Sequence, residues 1–341
     1  MGLLYAVIAI SFAVLFLVNL TFIVVNLIFW ATHGLQTLLQ GMNFVERVYY
    51  STYLKWILLA DVLWLASAFI FALKRKHYKT NPNLHYLTYQ PINDAKIFVI
   101  IPTYNEELAI ERVVMDYIKQ KNVKHVLVID NHSTDNTVSI AERCGARVIR
   151  KEENKGYAHS CVMGLKESLK SDANIIVLSE SDGTFNGYDL LKMVPYLDNS
   201  DMVIGTRQVQ VLSEKGNQNK MFYVWGNFFL AKLIQIKYFS LLHMGVVNLT
   251  DVGCSYRCIR RDALEKMIHD FTYPDTDEVV IKPTSGLFAL YTTMLGLKHD
   301  LRIVEVPITF KKRIGVSKTE SDKKIKAIKY GLEFLWYIII S

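Results

Sequence analysis

Charge is absent from the start of this chain: no Asp, Glu, Lys or Arg occurs before Glu46. Leu3 to Trp30 is instead a nearly continuous apolar run, and a hydrocarbon core of roughly 30 Å is crossed by about 20 such residues. The run has no basic leading region and exceeds the apolar core of a signal peptide, so the sequence predicts a transmembrane helix within residues 1–31. Cysteine is scarce too. The four thiols, Cys144, Cys161, Cys254 and Cys258, suit a reducing compartment. Cys254 and Cys258 have no second pair at zinc-binding spacing, which leaves them as small buried hydrophobes. Motifs are missing as well. No phosphate-binding loop and no strand-following G-x-G-x-x-G occurs, which removes support for those two kinds of nucleotide site. Nor does a G-x-S-x-G turn or a Ser-His-Asp arrangement suggest a covalent intermediate.

What is present divides in two. With 51% apolar residues and a mean hydropathy of +0.18 over 341 residues, the chain reads as a soluble enzyme joined to membrane segments. A second transmembrane helix is expected over residues 55–73, with a short non-cytoplasmic loop at 32–54 between the two. Asp61 lies inside this second span, where an ionisable group either marks a pathway or sits near the interface. Lys74-Arg75-Lys76-His77-Tyr78-Lys79 follows directly, and basic clusters beside spans favour the cytoplasmic side. The expectation is an integral membrane protein with its catalytic domain facing the cytoplasm. The formal charge of +7 comes without a nucleic-acid motif, so anionic membrane lipids are the expected counter-charge and nucleic acid is not an expected partner.

From Asp94 onward, β-branched apolar runs alternate with helical stretches. Strands are predicted at Ile97 to Ile101, His125 to Ile129, Arg147 to Ile149 and Ile175 to Leu178, with helices between them. This is the pattern of an α/β domain with a mostly parallel sheet, whose ligands gather at the carboxyl ends of the strands. The unusual residues fall at those ends: Pro102-Thr103-Tyr104-Asn105-Glu106, then Asp130, then Asn154-Lys155-Gly156, then Glu180 and Asp182. Each alone is an ordinary turn or helix cap. Two carboxylates one residue apart on such an edge are suited to a divalent cation, and the cation to a diphosphate.

IPTYNEE at 101–107, VLVIDNHSTDNT at 126–137, ENKGYAHSCVMGLK at 153–166, LSESDGTF at 178–185 and VIGTR at 203–207 together resemble a family 2 glycosyltransferase of the GT-A fold. DVGCSYRCIRRDAL at 251–264 and VEVPITFKKRIGVSK at 304–318 are similar to the branch that contains dolichyl-phosphate mannose synthase and related polyprenyl-phosphate glycosyltransferases. The resemblance implies a GT-A domain, Rossmann-like with a mostly parallel sheet, over residues 94–310. A basic loop and a C-terminal interfacial helix would occupy 311–341. It implies that Pro102, Tyr104, Glu106 and Asp130, with Lys155, hold the nucleotide. Asp182, assisted by Glu180, would bind Mg²⁺ or Mn²⁺, while Arg207, Arg313 and Lys318 would bind phosphate groups of donor or acceptor. The chain departs from the pattern at Asn131, where the family often carries a second Asp, and at Glu180, where mannose synthases commonly show Asp.

Removing a glycosyl group from a nucleoside diphosphate builds negative charge on the leaving phosphate, which a cation at Asp182 would stabilise. Relatives that glycosylate a hydroxyl use a general base, commonly an Asp in a Glu-Asp pair where this chain has Ser285-Gly286-Leu287-Phe288. Asp275, Asp277 and Glu278 are displaced candidates for that role. A phosphate acceptor needs no base, being largely dianionic at neutral pH. The expected partners are therefore a nucleotide sugar, UDP- or GDP-linked, and a polyprenyl phosphate, joined with inversion. The alternatives are transfer to a saccharide or lipid-linked glycan hydroxyl, or a silent membrane scaffold with the same fold. Met221 to Leu242 and Ile325 to Ile340 mix aromatic, apolar and basic residues as helices at a membrane interface do.

Overall fold

The computed structural model describes residues 7–8, 10–22, 24, 28, 52–74, 89–214, 221–238, 248–274, 276, 278–281, 287–315 and 324–341. Two compact units emerge: residues 1–76 with Trp336–Ser341, and His77–Leu335.

In the first unit, the described part of the N-terminal run is helical and α1 spans Thr52–Lys74. The indole of Trp64 donates to Ile8 O at 3.0 Å and meets the Phe12 ring in a tilted contact with centres 5.1 Å apart. Farther along, Asn19 donates to Asp61 Oδ1 at 3.4 Å, so the two helices run antiparallel. Asp61 thus has an amide partner. The expected membrane spans find no counterpart here: among the described residues no helix is long and apolar enough to cross a membrane. The first run is described without interruption only over 10–22. Most of the expected loop at 32–54 and the basic residues 75–79 lie outside the described residues.

The second unit is built on a seven-stranded sheet ordered β3-β2-β1-β4-β6-β5-β7. Its strands are β1 Ile97–Thr103, β2 Val123–Asp130, β3 Arg147–Arg150, β4 Ile175–Leu178, β5 Met202–Thr206, β6 Arg257–Arg260 and β7 Ile303–Pro307. The four strands expected from sequence are present, each within two residues of its predicted start. β1 and β4 are buried along their whole length, which explains why they read as continuous apolar runs rather than alternating ones. Pro102 falls beyond the last β1–β4 pair, Ile100 with Leu178, where a missing N–H on that side removes no ladder bond.

Helices cover both faces. α2, Ile110–Ile118, buries Ile110, Val113, Val114 and Tyr117, one face at helical spacing. After α3, Thr137–Arg143, comes α4, Tyr157–Ser168. α4 approaches β1 so closely that a Cβ on Gly164 would stand 2.3 Å from Ile100 Cγ2. α5 is Met221–Tyr238, α6 Arg261–Met267, α7 Leu287–Lys298 and α8 Lys324–Ile340.

One strand is reversed. β6 pairs antiparallel with both β4 and β5, whereas the other pairings are parallel. The residues preceding β6 therefore emerge on the same rim as those following β1, β2, β4 and β5. This places Asp251 and Ser255 beside Glu180 and Arg207, sequence-distant groups on one edge. The cysteine expectation agrees with the packing: Cys161, Cys254 and Cys258 are buried and Cys144 is half-buried, all as free thiols.

Candidate active site

The rim after β1 and β2 is held open by its own hydrogen bonds. Asn105 takes a positive φ of 52°, a conformation that Asn tolerates better than most residues, and its side chain accepts from Thr134 N at 2.8 Å. In return, Asn105 N donates to Ser133 Oγ at 2.8 Å and Glu106 N to Thr137 Oγ1 at 2.9 Å. Asp130 is fully buried, accepts from Ser133 N, and lies 3.6 Å from Arg150 Nε. Pro102, Tyr104, Glu106 and Asp130 thus line adjoining strand ends. Lys155 joins them through its backbone: its N–H donates to Asn131 Oδ1 at 3.1 Å, while its exposed ammonium faces Glu153 at 3.4 Å.

Asn131 bridges two strand-end loops. Its amide donates to Asn154 Oδ1 at 2.6 Å while its carbonyl takes the Lys155 N–H. A carboxylate could accept but not donate. The departure from Asp therefore ties the β2 end to the loop after β3.

The carboxylate pair sits at the next strand end. Asp182 is 4% exposed, and its Oδ1 accepts both Thr184 N at 3.0 Å and Thr184 Oγ1 at 2.6 Å. Its Oδ2 faces Arg313 Nη1 at 3.1 Å, and Arg313 Nη2 donates to Glu106 Oε1 at 2.8 Å. Glu180 Oε1 accepts from Ser255 Oγ at 2.5 Å. Burial pushes the Glu180 carboxyl up to about 7, with the Asp182 charge adding to it, while Ser255, Arg207 and Arg313 act in opposition. Among the described residues no group of three or more His, Cys, Asp and Glu could by itself hold a metal ion. A hard cation on one or two carboxylates takes its other ligands from phosphate and water. The donor set fits such an ion, because a guanidinium already occupies the outward oxygen of Asp182.

Arg207 stands across the rim on a separate anchor. Its Nε and Nη2 reach Asp251 Oδ2 and Oδ1 at 2.7 and 2.8 Å, a bidentate pair, and its guanidinium lies 5.3 Å from the centre of the Phe310 ring. The Asp251 carboxyl is held below its usual range against the opposing effect of burial, chiefly by the Arg207 charge. Glu305 on β7 fixes this loop in turn, accepting from Thr250 N, Thr250 Oγ1 and Asp251 N at 2.8, 2.7 and 3.0 Å. Arg313 therefore joins Asp182 and Glu106, Arg207 joins the electrostatic surroundings of Glu180, and Lys318 lies outside the described residues. Asp251, Ser255, Thr184 and Glu305 were not singled out by sequence reasoning. Asp251 and Ser255 stand inside a quoted motif, but their partners lie 44 and 75 residues away.

The helix that follows the expected base position carries no carboxylate. α7 reads LFALYTTMLGLK, and Phe288 is fully buried against Phe271 and Tyr157. Glu278 is exposed; Asp275, Asp277, Ser285 and Gly286 lie outside the described residues.

The sequence matches the family described as Glycosyl transferase family 2 over residues 98–268, half of the chain, and the chain belongs to that family. It is an enzyme of the glycosyltransferase class. Within the family it is similar to the polyprenol monophosphomannose synthase of Mycolicibacterium smegmatis, 26% identical over 65% of this chain and 80% of that one. It is similar also to the undecaprenyl-phosphate mannosyltransferase of Micrococcus luteus, 26% identical over 71% and 96%. Its fold resembles that of glucosyl-3-phosphoglycerate synthase from Mycobacterium tuberculosis, solved with Mn²⁺, UDP-glucose and phosphoglyceric acid. That alignment has a TM-score of 0.50 and 18% identity over 72% of this chain and 80% of that one. The similarity to relatives acting on polyprenyl phosphates places the chain beside the polyprenyl-phosphate branch expected from its motifs.

Proposed function

We propose that this protein moves a sugar from a UDP- or GDP-linked donor to a polyprenyl phosphate, with inversion and with Mg²⁺ or Mn²⁺, at the cytoplasmic face of a membrane. One observation carries the reading: a single rim presents a carboxylate pair beside two guanidinium groups, and the helix that would bring a base carries buried Phe288 and no carboxylate. Asp182, assisted by Glu180, would hold the cation, whose chemistry is to offset the charge of the departing nucleoside diphosphate. Pro102, Tyr104, Glu106 and Asp130 frame the nucleoside, and Arg207, with Arg313 and Lys318, binds phosphate oxygens. A phosphomonoester acceptor arrives already ionised, so no side chain has to remove a proton.

The helices support a membrane setting. On α5, Trp225, Phe228, Phe229 and Ile236 are exposed along one side while Ala231 and Ile234 are fully buried on the other, and Lys232 Nζ lies 4.7 Å from the centre of the Phe228 ring. On α8, Ile328, Leu332, Trp336 and Ile340 are exposed at every fourth position. Aromatic and apolar stripes with neighbouring lysines are stable at a lipid head-group boundary. The antiparallel helices of the first unit expose Val7, Ile10, Phe16, Leu58 and Leu65 among others, a surface suited to lipid, and the two spans and the domain limits predicted from sequence are retained in this reading.

The test supplies full-length protein in detergent with polyprenyl phosphate, Mn²⁺ or Mg²⁺, and a panel of UDP- and GDP-sugars. Glycolipid should form, and Asp182→Asn should abolish turnover. Glycosylation of a saccharide hydroxyl with no glycolipid product would overturn the acceptor assignment.

A further inference from the structure

A cation already occupies the place a metal would take. Asp182 Oδ1 is satisfied by Thr184, so Oδ2 is the oxygen left for an ion, and Arg313 Nη1 is on it at 3.1 Å. The same guanidinium reaches Glu106 Oε1, a side chain only 5% exposed, at 2.8 Å. Among the described residues its buried Nε has no hydrogen-bond partner, so the bridge uses only part of the fork. The backbone around Arg313 is laid over the same turn: Lys311 N donates to Thr184 O at 2.8 Å, and Ile314 N to Asp182 O at 3.0 Å. Gly183 makes room for this strap, since a Cβ there would meet Ile314 Cδ1 at 2.9 Å.

We propose that Arg313 is a stand-in for the divalent cation: it bridges Asp182 and Glu106 while no donor is bound, and a metal–diphosphate complex displaces it onto the diphosphate. The inference rests on the metal reading given under the proposed function and adds an order to binding. A metal arriving alone must break the contact with Asp182 and leave the guanidinium held by Glu106 alone, a loss of ion pairing that opposes its binding. A nucleoside diphosphate arriving with the metal offers Arg313 new anionic oxygens suited to its fork. Metal and nucleotide should therefore strengthen each other's binding, and the effect must be reciprocal.

The experiment follows free Mn²⁺ by electron paramagnetic resonance in titrations of the full-length protein in detergent, with and without UDP or GDP. The wild type is compared with Arg313→Ala and Arg313→Lys, while hydrogen exchange is read at the amides of Lys311 and Ile314. Mn²⁺ alone should bind about tenfold more tightly to both variants than to the wild type, within the usual range of site coupling, and nucleotide should then add correspondingly less. In the wild type, Mn²⁺ alone should speed exchange at Lys311 and Ile314, and Mn²⁺ with nucleotide should slow it. An Arg313→Lys variant that binds Mn²⁺ like the wild type would reduce Arg313 to a diffuse positive charge. That result, or amides indifferent to Mn²⁺, overturns the stand-in while leaving the metal reading intact. No Mn²⁺ bound in any form, with either nucleotide, overturns the metal reading and the inference with it.

Discussion

Replacing Asp251 by Asn removes one charge and almost no volume, and the surroundings of this residue make that small change severe. Four donors converge on its two oxygens: Arg207 Nε and N on Oδ2 at 2.7 and 3.1 Å, Arg207 Nη2 and Gly253 N on Oδ1 at 2.8 and 3.1 Å. An asparagine amide keeps one of those oxygens and turns the other into a donor facing donors. It also leaves Arg207, whose side chain is 14% exposed, without its counter-charge. Two unit charges about 4 Å apart interact by about 4 kcal/mol at an effective dielectric of about 20, and removing one member of a buried pair typically costs 3–5 kcal/mol. Asp251→Asn should therefore lower the unfolding free energy by about 3–5 kcal/mol, measured by urea unfolding of the detergent-solubilised chain with circular dichroism. Arg207→Met completes a double-mutant cycle, in which the pair should show a coupling of at least about 1.5 kcal/mol. With Arg207 no longer aimed, the KM for polyprenyl phosphate should rise more than the KM for the donor. An Asn variant within 1 kcal/mol of the wild type, together with an additive cycle, would refute the coupling.

Three further outcomes are expected. Burial raises the Glu305 carboxyl from 4.5 to about 7, so the folded state keeps a proton that the unfolded state has already released. Stability should fall as pH rises from about 4.5 to about 7 and level off above, by at most about 3 kcal/mol; unfolding across that range should lose this slope in Glu305→Gln. Gly164→Ala drives a methyl into Ile100 and should cost about 1–3 kcal/mol by overpacking, read from urea midpoints, with partial recovery in Ile100→Ala. Trp225→Ser with Phe229→Ser strips apolar surface from the exposed side of α5 and should raise the KM for long-chain polyprenyl phosphate about tenfold, equivalent to about 1.4 kcal/mol, with the donor KM unchanged. Equal shifts in both KM values would count against α5 as a lipid-facing surface.

The parallel half of the sheet was readable because fully buried strands such as Ile97–Thr103 write themselves as apolar runs, and the polar residues that end them stand out. Direction was not readable. Nothing in RCIR at 257–260 says that β6 runs against its neighbours, because side-chain alternation is the same either way along a strand. The consequence of that reversal, Ser255 beside Glu180, was therefore hidden. So were the ion pairs of the rim. Arg313 and Glu106 are 207 residues apart, and only the assembled topology brings them within reach of each other. Asn131, which looked like a departure from a pattern, took its meaning only from Asn154.

The ion pair between Arg207 and Asp251 also has a bearing on how such enzymes diversify. It joins residues 44 positions apart, so it clasps the base of an excursion that leaves the sheet edge and returns to it. Lengthening a closed loop carries only a small entropic penalty, roughly 0.6 kcal/mol for each doubling. An excursion clasped in this way behaves as an exchangeable cassette, α5 included. Its length, and the exposed side of α5, are free to drift or to be changed by an engineer, while the side that buries Ala231 and Ile234 and the sheet edge beneath the clasp are left alone.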